Sequence, residues 1–470
     1  MRKTKIVCTI GPACSDEETL TAMCLAGMNV ARINFSHGSH EEHENQMNLL
    51  KRVRTKLNLP IAIMLDTKGP EYRIKTFRDG LVHLKKGDKF TFTIDEVEGD
   101  KDRVSVTYKD LPKDLSIGDK ILLNDGLLEF EVIDKTDSEA ICLVLVGGDL
   151  TDRKSMSFPN KTLNQVYLGE QDKADLLLGI KKDIDYIAAS FVSRKQDLVD
   201  LKEFLAANGG DDIDIVAKIE NRSGVTNIEE ICEECDGIMV ARGDLGVEIP
   251  YEELPAIQKL LITKGRLLGK RVITATEMLE SMIYNSRPTR AEISDVANAV
   301  YDGTSAIMLS GETAIGISPA NAVNVMARIA QETERCIHYT KRFLKAEFTI
   351  SDTVDAISHG TCGMAIDINA KAIAACSVSG RTVRMISRFR PPMAFLGITT
   401  SEKTWRKLAM TWGAIPVMGS EFDNADDLFR NAKQLATQVL SLKEKDNIIV
   451  TGGVTMGEVG GTNLIKIETV

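Results

Sequence analysis

The apolar positions of this chain recur in one unit: a short run rich in β-branched residues, ended by a small or charged residue and followed by a helical stretch. Eight such runs occur, at Lys5–Ile10, Val30–Phe35, Ile61–Asp66, Tyr186–Phe191, Ile215–Glu220, Gly237–Arg242, Val272–Thr276 and Ala306–Ser310. Apolar runs of this kind predict parallel strands buried on both faces. Helix starts lie between them, with capping-box spacing at Ser15 and Glu18 and at Ser39 and Glu42. Eight strand–helix units predict a (β/α)8 TIM barrel, an α/β fold whose chemistry sits at the C-terminal strand ends.

The spacing breaks once, after the third run. Residues 70–169 carry a different pattern, with strands expected at Phe90–Ile94, Arg103–Tyr108, Lys120–Leu123 and Ala140–Val144 and a turn at Asn124-Asp125-Gly126. This reads as a small all-β domain. Inserted after a barrel strand, it hangs over the catalytic rim as a lid. The barrel then comprises 1–69 and 170–340. Beyond it, 341–470 predicts an open α/β domain, with a helix over Asp352–Asn369, strands near Ala372–Cys376, Ala394–Thr399, Ile415–Met418 and Ile448–Thr451, and an edge strand over Asn463–Val470.

Bulk properties narrow the partners. A length of 470 residues suits about three domains. The net charge of −10 argues against nucleic acid as partner. No apolar run reaches the ~20 residues that span a bilayer, so no membrane association is expected. The start, Met1 to Val7, goes directly into a strand-like run with no secretory h-region, so no leader is expected. Nine cysteines scattered over this length suit reduced thiols, and a cytoplasmic location is expected.

The strand ends carry the candidate chemistry. Lys218 and Glu220 alternate onto one face of the fifth run, which can be the barrel interior. On their own they fit a structural salt bridge as well as a site. Asp244, on the next strand end after Gly243, supplies a second carboxylate, and two carboxylates suit Mg²⁺ or Mn²⁺ with substrate oxygens. Gly243 lets a ligand approach the backbone. Arg32, Asn34 and Ser36 share a face, and an inward Arg32 calls for an anion. Asn34, Ser36, Asp66 and Thr67 offer oxygen donors with one negative charge, which suits a monovalent cation or simple strand-end capping. Thr276, Ser310 and Glu312 add hydroxyl and carboxylate groups that could relay a proton.

At these strand ends the chain resembles the pyruvate kinase family over essentially its whole length. The motifs are Arg32 to Gly38 (RINFSHG), Leu65 to Glu71 (LDTKGPE), Lys218 to Asn221 (KIEN), Met239 to Glu248 (MVARGDLGVE), Arg287 to Glu292 (RPTRAE) and Met308 to Thr313 (MLSGET), in the family's order. The resemblance implies a barrel, a small β-barrel lid and a C-terminal effector domain. It implies phosphoryl transfer from phosphoenolpyruvate to ADP, giving pyruvate and ATP, with Mg²⁺ and K⁺ as cofactors. Matched by motif, Glu220 and Asp244 hold Mg²⁺, and Lys218 stabilises the phosphoryl group and the enolate. Arg32 and Arg73 contact phosphates, and Gly243, Asp244, Thr276 and Ser190 bind substrate. Nucleotide contacts fall to Arg73, Lys154, Asn34 and His37. The K⁺ ligands are Asn34, Ser36, Asp66 and Thr67, and Glu71 is the residue that accompanies K⁺ dependence. There is no G-x-x-x-x-G-K-[ST] loop, so the family's mode of holding ADP between rim and lid is expected. The family's homotetramer is expected too.

The chain departs from the family's pattern at Ser155 to Asn160, where the lid returns, at Asn124, often Asp, and at Glu277, usually Gln. The loop Ser377, Ser379, Gly380, Arg381 and Thr382 leads from a strand into a helix, a setting that favours phosphate, and the resemblance implies a phosphorylated activator there. The late loop 452–461 lacks the Arg and Trp that grip a sugar bisphosphate in some relatives. With the chain ending at Val470, no trailing phosphohistidine-type domain is expected. Two motifs are set aside. His37, His40 and His43 read as solvent-facing residues of a helix start, not as a zinc site, and Cys232 with Cys235 as core, since no second pair follows. Other phosphoenolpyruvate or pyruvate barrels, and a metabolite sensor with a dead site, are the alternatives. The complete set of Lys218, Glu220 and Asp244 argues against the sensor.

Overall fold

The computed structural model describes residues 1–124, 126–161, 163, 166–422, 424–453 and 461–470. All eight apolar runs form strands, at Lys5–Thr9, Val30–Asn34, Ala62–Asp66, Tyr186–Ala189, Asp214–Ile219, Gly237–Ala241, Arg271–Ala275 and Ala306–Leu309. They close into a parallel barrel in chain order, the first strand pairing with both the eighth and the second, Lys5 opposite Ala306 and Val7 opposite Val30. Alternation along each strand divides the side chains. Val30, Met64, Tyr186, Val216, Met239, Ile273 and Met308 fill the interior. Their neighbours, such as Ile33, Leu65, Ile187, Ile219, Val240 and Leu309, pack under the surrounding helices. With both faces buried, neither can be polar, which is why the runs lack alternation.

At its base the barrel is closed by the C-terminal domain. Met410 joins the interior cluster. Lys407 Nζ reaches Asp214 at 2.6 Å, and Asp214 also pairs with Arg271 at 2.6 Å. The opposite end is left open to the rim.

The helix start at Ser39 is a capping box, as its spacing predicts: Ser39 accepts from the Glu42 amide and Glu42 from that of Ser39. The one expected at Ser15 and Glu18 is not formed. Asp16 caps helix Glu17–Ala26 by accepting from the Thr19 amide at 2.8 Å, while the Ser15 hydroxyl turns back to Pro12 O. The Asp16 carboxylate, one residue closer to the helix, reaches the free amide of the first turn.

The insertion is a curled seven-stranded sheet, in the order Tyr72–Arg73, Ser155–Ser157, Lys120–Leu123, Leu128–Lys135, Glu139–Val146, Lys89–Thr93, Arg103–Ser105. Its two edges are stitched together, Lys75 N donating to Ser105 O at 2.7 Å and Thr107 N to Arg73 O at 2.9 Å. This makes a small barrel around Phe90, Phe92 and Phe130. It also shortens the strand expected over Arg103–Tyr108, because Val106 and Thr107 close the barrel instead of continuing the ladder. A two-stranded sheet, Leu81–Leu84 with Gly148–Thr151, lies beside it. Of the turn at 124–126, Asp125 lies outside the described residues; Asn124 and Gly126 both have positive φ.

The C-terminal domain is a five-stranded sheet in the order Ala414–Met418, Ala394–Thr399, Ala372–Cys376, Asn447–Gly453, Thr462–Thr469. The last strand is an antiparallel edge, as expected. Residues 454–460 of the late loop lie outside the described residues. Among the described residues no helix is long and apolar enough to cross a membrane.

Candidate active site

At the open end of the barrel, side chains from four strand ends meet around one ammonium group. Lys218 Nζ lies 2.7 Å from Ser190 Oγ, 3.1 Å from Asp66 Oδ1 and 2.9 Å from Glu220 Oε1. Asp66 turns its other oxygen to Arg32, whose Nε donates at 2.5 Å, and Arg32 Nη1 donates to Thr9 Oγ1 at 2.9 Å. All four charged groups are at least nine-tenths buried. The anion expected opposite Arg32 is therefore, in the protein alone, Asp66. Arg32 Nη2 has no protein acceptor among the described residues.

Burial works against every charge here, and the neighbours decide the outcome. For Asp66, Arg32 and Lys218 outweigh burial and hold the carboxyl below its ordinary range. For Lys218, Asp66 and Glu220 outweigh burial and raise the ammonium above its usual value. Glu220 goes the other way: burial pushes it up to about 7, Lys218 opposes the push, and Asp244 adds to it.

The Glu220 carboxylate is fixed by a strained turn. Phe191 has φ 56°, rare for a bulky residue, and this aims its amide at Glu220 Oε2, 2.6 Å away. Gly69 makes room for that turn, since a Cβ there would lie 2.9 Å from Ser190 Cβ. Ser190 is held by Thr67, donating to Thr67 O at 2.6 Å, and by Tyr167, whose hydroxyl donates to Ser190 O at 2.9 Å.

Next to this cluster, Gly243 N donates to Thr276 Oγ1 at 2.8 Å, and Thr276 Oγ donates to Ala275 O at 2.7 Å. Thr276 and Glu277 have φ 65° and 53°, an outlier for a β-branched residue, and the strain is held by Arg242. Its guanidinium donates to Ala275 O, Thr276 O and Glu277 O and pairs with Asp295 at 2.7 Å. A Cβ on Gly243 would meet nothing of the protein closer than 3.6 Å.

Two oxygens suit a divalent cation. Glu220 Oε1 receives no well-directed protein hydrogen bond despite the nearby Lys218. Asp244, exposed at the rim, makes no hydrogen bond or ion pair among the described residues. Among the same residues no three His, Cys, Asp or Glu side chains cluster as a metal site, so the cation would need oxygens from substrate or water. Asn34 and Asp66 sit opposite each other in the second and third strands. Asn34 Oδ1 accepts from Ser36 N at 3.2 Å, and Thr67 continues the third strand. All the side-chain donors in this second set are oxygens or an amide.

Across the stem of the insertion, Arg73 pairs with Ser155, which places Arg73 beside Lys154. Arg73 is engaged by Glu71, and Lys68 approaches Glu71 at 3.6 Å. His37 is exposed near the same rim.

Some expectations change. Glu312 is no open proton relay, because its carboxylate braces two loops, accepting from Leu279 N at 3.0 Å and Ser310 N at 2.7 Å. The three histidines diverge, and they do not all face solvent: His40 Nε2 bonds Asp175 at 2.5 Å, while His43 is buried against the Phe35 ring, 4.1 Å between centroids. Cys232 and Cys235 are buried around the end of helix Ile228–Glu234. Two residues quoted only as parts of a motif prove to matter. Arg242 is the clamp on Thr276. Glu248, pushed up to about 7 chiefly by burial, accepts from Phe158 N at 3.3 Å and tethers the returning insertion to the rim. Their roles lie in long-range contacts that no local spacing announces.

In the C-terminal loop, Gly380 has φ 74° and opens helix Arg381–Arg388. Ser377 N donates to Ile398 O, and Ser379 O accepts from Arg384. Arg381 pairs with Asp352 at 2.6 Å, and the buried Thr382 hydroxyl turns to Thr462 at 2.5 Å.

Comparisons with known proteins agree along the whole chain. The family model described as pyruvate kinase, barrel domain, matches residues 1–323, and that described as pyruvate kinase, alpha/beta domain, matches 355–468. A pyruvate kinase of Staphylococcus haemolyticus is 48% identical over 474 residues, covering 100% of this chain and 81% of that protein. One of Clostridium acetobutylicum is 45% identical and covers 100% of both. The crystal structure of a pyruvate kinase from Cryptosporidium parvum is similar with a TM-score of 0.94 at 38% identity, covering 100% of this chain and 96% of that one.

Proposed function

The chain belongs to the pyruvate kinase family, and from that premise we propose how its rim carries the family's reaction, the last step of glycolysis. The reaction moves the phosphoryl group of phosphoenolpyruvate to ADP, giving pyruvate and ATP. The observation that carries the residue assignment is the Lys218 ammonium held between Asp66, Ser190 and Glu220 at the open end of the barrel. The C–O–P bridge breaks, a terminal ADP oxygen bonds to phosphorus, and the enolate left behind takes a proton on its methylene carbon. Lys218 neutralises the phosphoryl oxygens in transit and then the enolate oxygen. Arg32 binds phosphate. Gly243 N and the Thr276 hydroxyl bind the pyruvyl part, and Thr276 orients the water that protonates the enolate. This is catalysis by positioning and charge neutralisation.

Glu220 and Asp244 would hold Mg²⁺ or Mn²⁺; when bound, the cation supplies positive charge to the phosphate oxygens. Asn34, Ser36, Asp66 and Thr67 would hold K⁺. Arg73, Lys154, Asn34 and His37 contact the nucleotide, with 70–169 acting as a lid over a barrel of 1–69 and 170–340. The loop Ser377 to Thr382, in a domain of 341–470, receives a phosphorylated activator. The enzyme works as a cytoplasmic homotetramer. The other phosphoenolpyruvate barrels lose ground because the family matches continue through the insertion and the C-terminal domain.

The test is pyruvate formation from phosphoenolpyruvate, ADP and Mg²⁺, coupled to a pyruvate-consuming dehydrogenase, with and without K⁺. No pyruvate under any condition would overturn the reading. Glu71→Lys is expected to make turnover independent of K⁺, because the new ammonium supplies the ion's charge beside the Asp66 strand end. A K⁺ requirement retained in that variant counts against the cation site.

A further inference from the structure

Six cations gather where the base of the barrel meets the C-terminal domain, away from the rim. Arg271 opens the seventh barrel strand, and Arg266 and Lys270 lie at the end of the preceding helix, Leu254–Leu267, and just beyond it. Arg384 and Arg388 belong to helix Arg381–Arg388, and Arg390 follows it. With Thr411 they line a cavity of about 10 Å³, room for one water-sized particle.

Among the described residues, carboxylates pair with only two of the six. Arg271 pairs with Asp214 at 2.6 Å and Arg388 with Asp355 at 2.7 Å. Lys270 donates to Cys235 O at 2.7 Å, Arg384 to Ser379 O at 3.4 Å, and Arg390 to Gly303 O at 2.8 Å, all neutral acceptors. The Arg266 side chain makes no hydrogen bond or ion pair among the described residues. Burial, with Arg266 adjacent, pushes the Arg390 guanidinium down to about 9. An excess of like charge at this depth calls for a counterion.

The hydrogen-bond count calls for the same occupant. Arg271 Nε and Nη2, Arg388 Nε, Arg390 Nε and Thr411 Oγ1 are buried and have no hydrogen-bond partner among the described residues. Those four residues are 3%, 7%, 6% and 1% exposed. Buried donors are nearly always satisfied in native proteins. A particle that only accepts, and brings no hydrogens of its own, satisfies several at once. A tetrahedral oxyanion is too large for a space of this size, and in the adjoining recess of about 250 Å³ Arg381 and Arg388 are already paired with Asp352 and Asp355.

We propose that this cavity binds a monatomic anion, chloride, which ties helix Arg381–Arg388 to the seventh barrel strand. The ion is shared by an element that begins at the loop 377–382 and a strand whose far end leads to Thr276.

The full-length protein, prepared in sodium gluconate, is titrated with sodium chloride at constant ionic strength while Tm is followed. The expected result is a chloride-specific rise of roughly 1–2 °C per tenfold chloride above its Kd. Bromide should reproduce it, and crystals grown in bromide should give an anomalous peak between Arg271, Arg388 and Arg390. Arg390→Met should abolish the chloride-dependent rise. Should that variant fail to fold, the milder Thr411→Val should raise the chloride midpoint several-fold. Equal Tm in chloride and gluconate, a cavity without the bromide peak, or a chloride response unchanged in the folded variants would each overturn the proposal.

Discussion

Lys218→Met is expected to lower kcat by about 10³-fold while phosphoenolpyruvate binding stays within a few-fold of the parent. Removing one preorganised donor from a reacting oxygen typically loses about 10²–10³ in rate, and Lys218 brings a full charge. Arg32 does not take its place, since its Nε and Nη1 are held by Asp66 and Thr9 and only Nη2 is left for phosphate. Binding survives because Arg32 and the Gly243–Thr276 pair remain. The substitution also leaves Glu220 without the group that opposes its burial, so a lower Tm accompanies the kinetic loss. Steady-state kinetics with a calorimetric binding measurement separate the two effects. A folded variant with kcat within tenfold of the parent would remove Lys218 from the chemistry.

Glu220→Gln is the second large effect. The side chain keeps its shape and can still accept the Phe191 amide, but it no longer offers a charged oxygen. We expect the half-saturating Mg²⁺ concentration to rise at least about 100-fold, a loss at the upper end of that seen when groups supporting a metal ligand are removed, with kcat reduced at the highest Mg²⁺ reached. Binding of Mn²⁺ followed by electron paramagnetic resonance should weaken in parallel, without reference to turnover. An unchanged Mn²⁺ affinity would mean that Glu220 serves only as the partner of Lys218, the plain buried salt bridge that its spacing also allowed.

Both predictions concern residues whose facing could be read from alternation alone. In a strand the side-chain period is two, so Lys218 and Glu220 had to share a face, and the barrel made that face the interior. Other features stayed hidden for physical reasons. Strand Leu128–Lys135 lies outside the expected set although Leu128, Phe130 and Val132 alternate with Glu129 and Glu131, the period-two pattern of a half-buried strand, because it forms no continuous apolar run like those of the barrel. His43 looked solvent-facing in a polar helix start, yet its position in helix His40–Leu57 turns it onto Phe35. Asp16 displaced Ser15 as a cap through a one-residue difference that spacing does not resolve.

By itself the sequence determined the eight barrel strands, the insertion after the third, the C-terminal sheet and the set of charged residues at the strand ends. These follow from local periodicity, and burial on both faces leaves little freedom in such runs. The tertiary structure alone decided the partners. Asp66 and Lys218 are 152 residues apart and meet only because the barrel closes. The clamp of Arg242 on the strained Thr276, the bracing by Glu312, the Glu248 tether and the arginine-lined cavity at the base are contacts between elements distant in the chain. Periodicity specifies which way a side chain faces. What it faces depends on which other strand or domain packs there, and that is settled by the whole core at once.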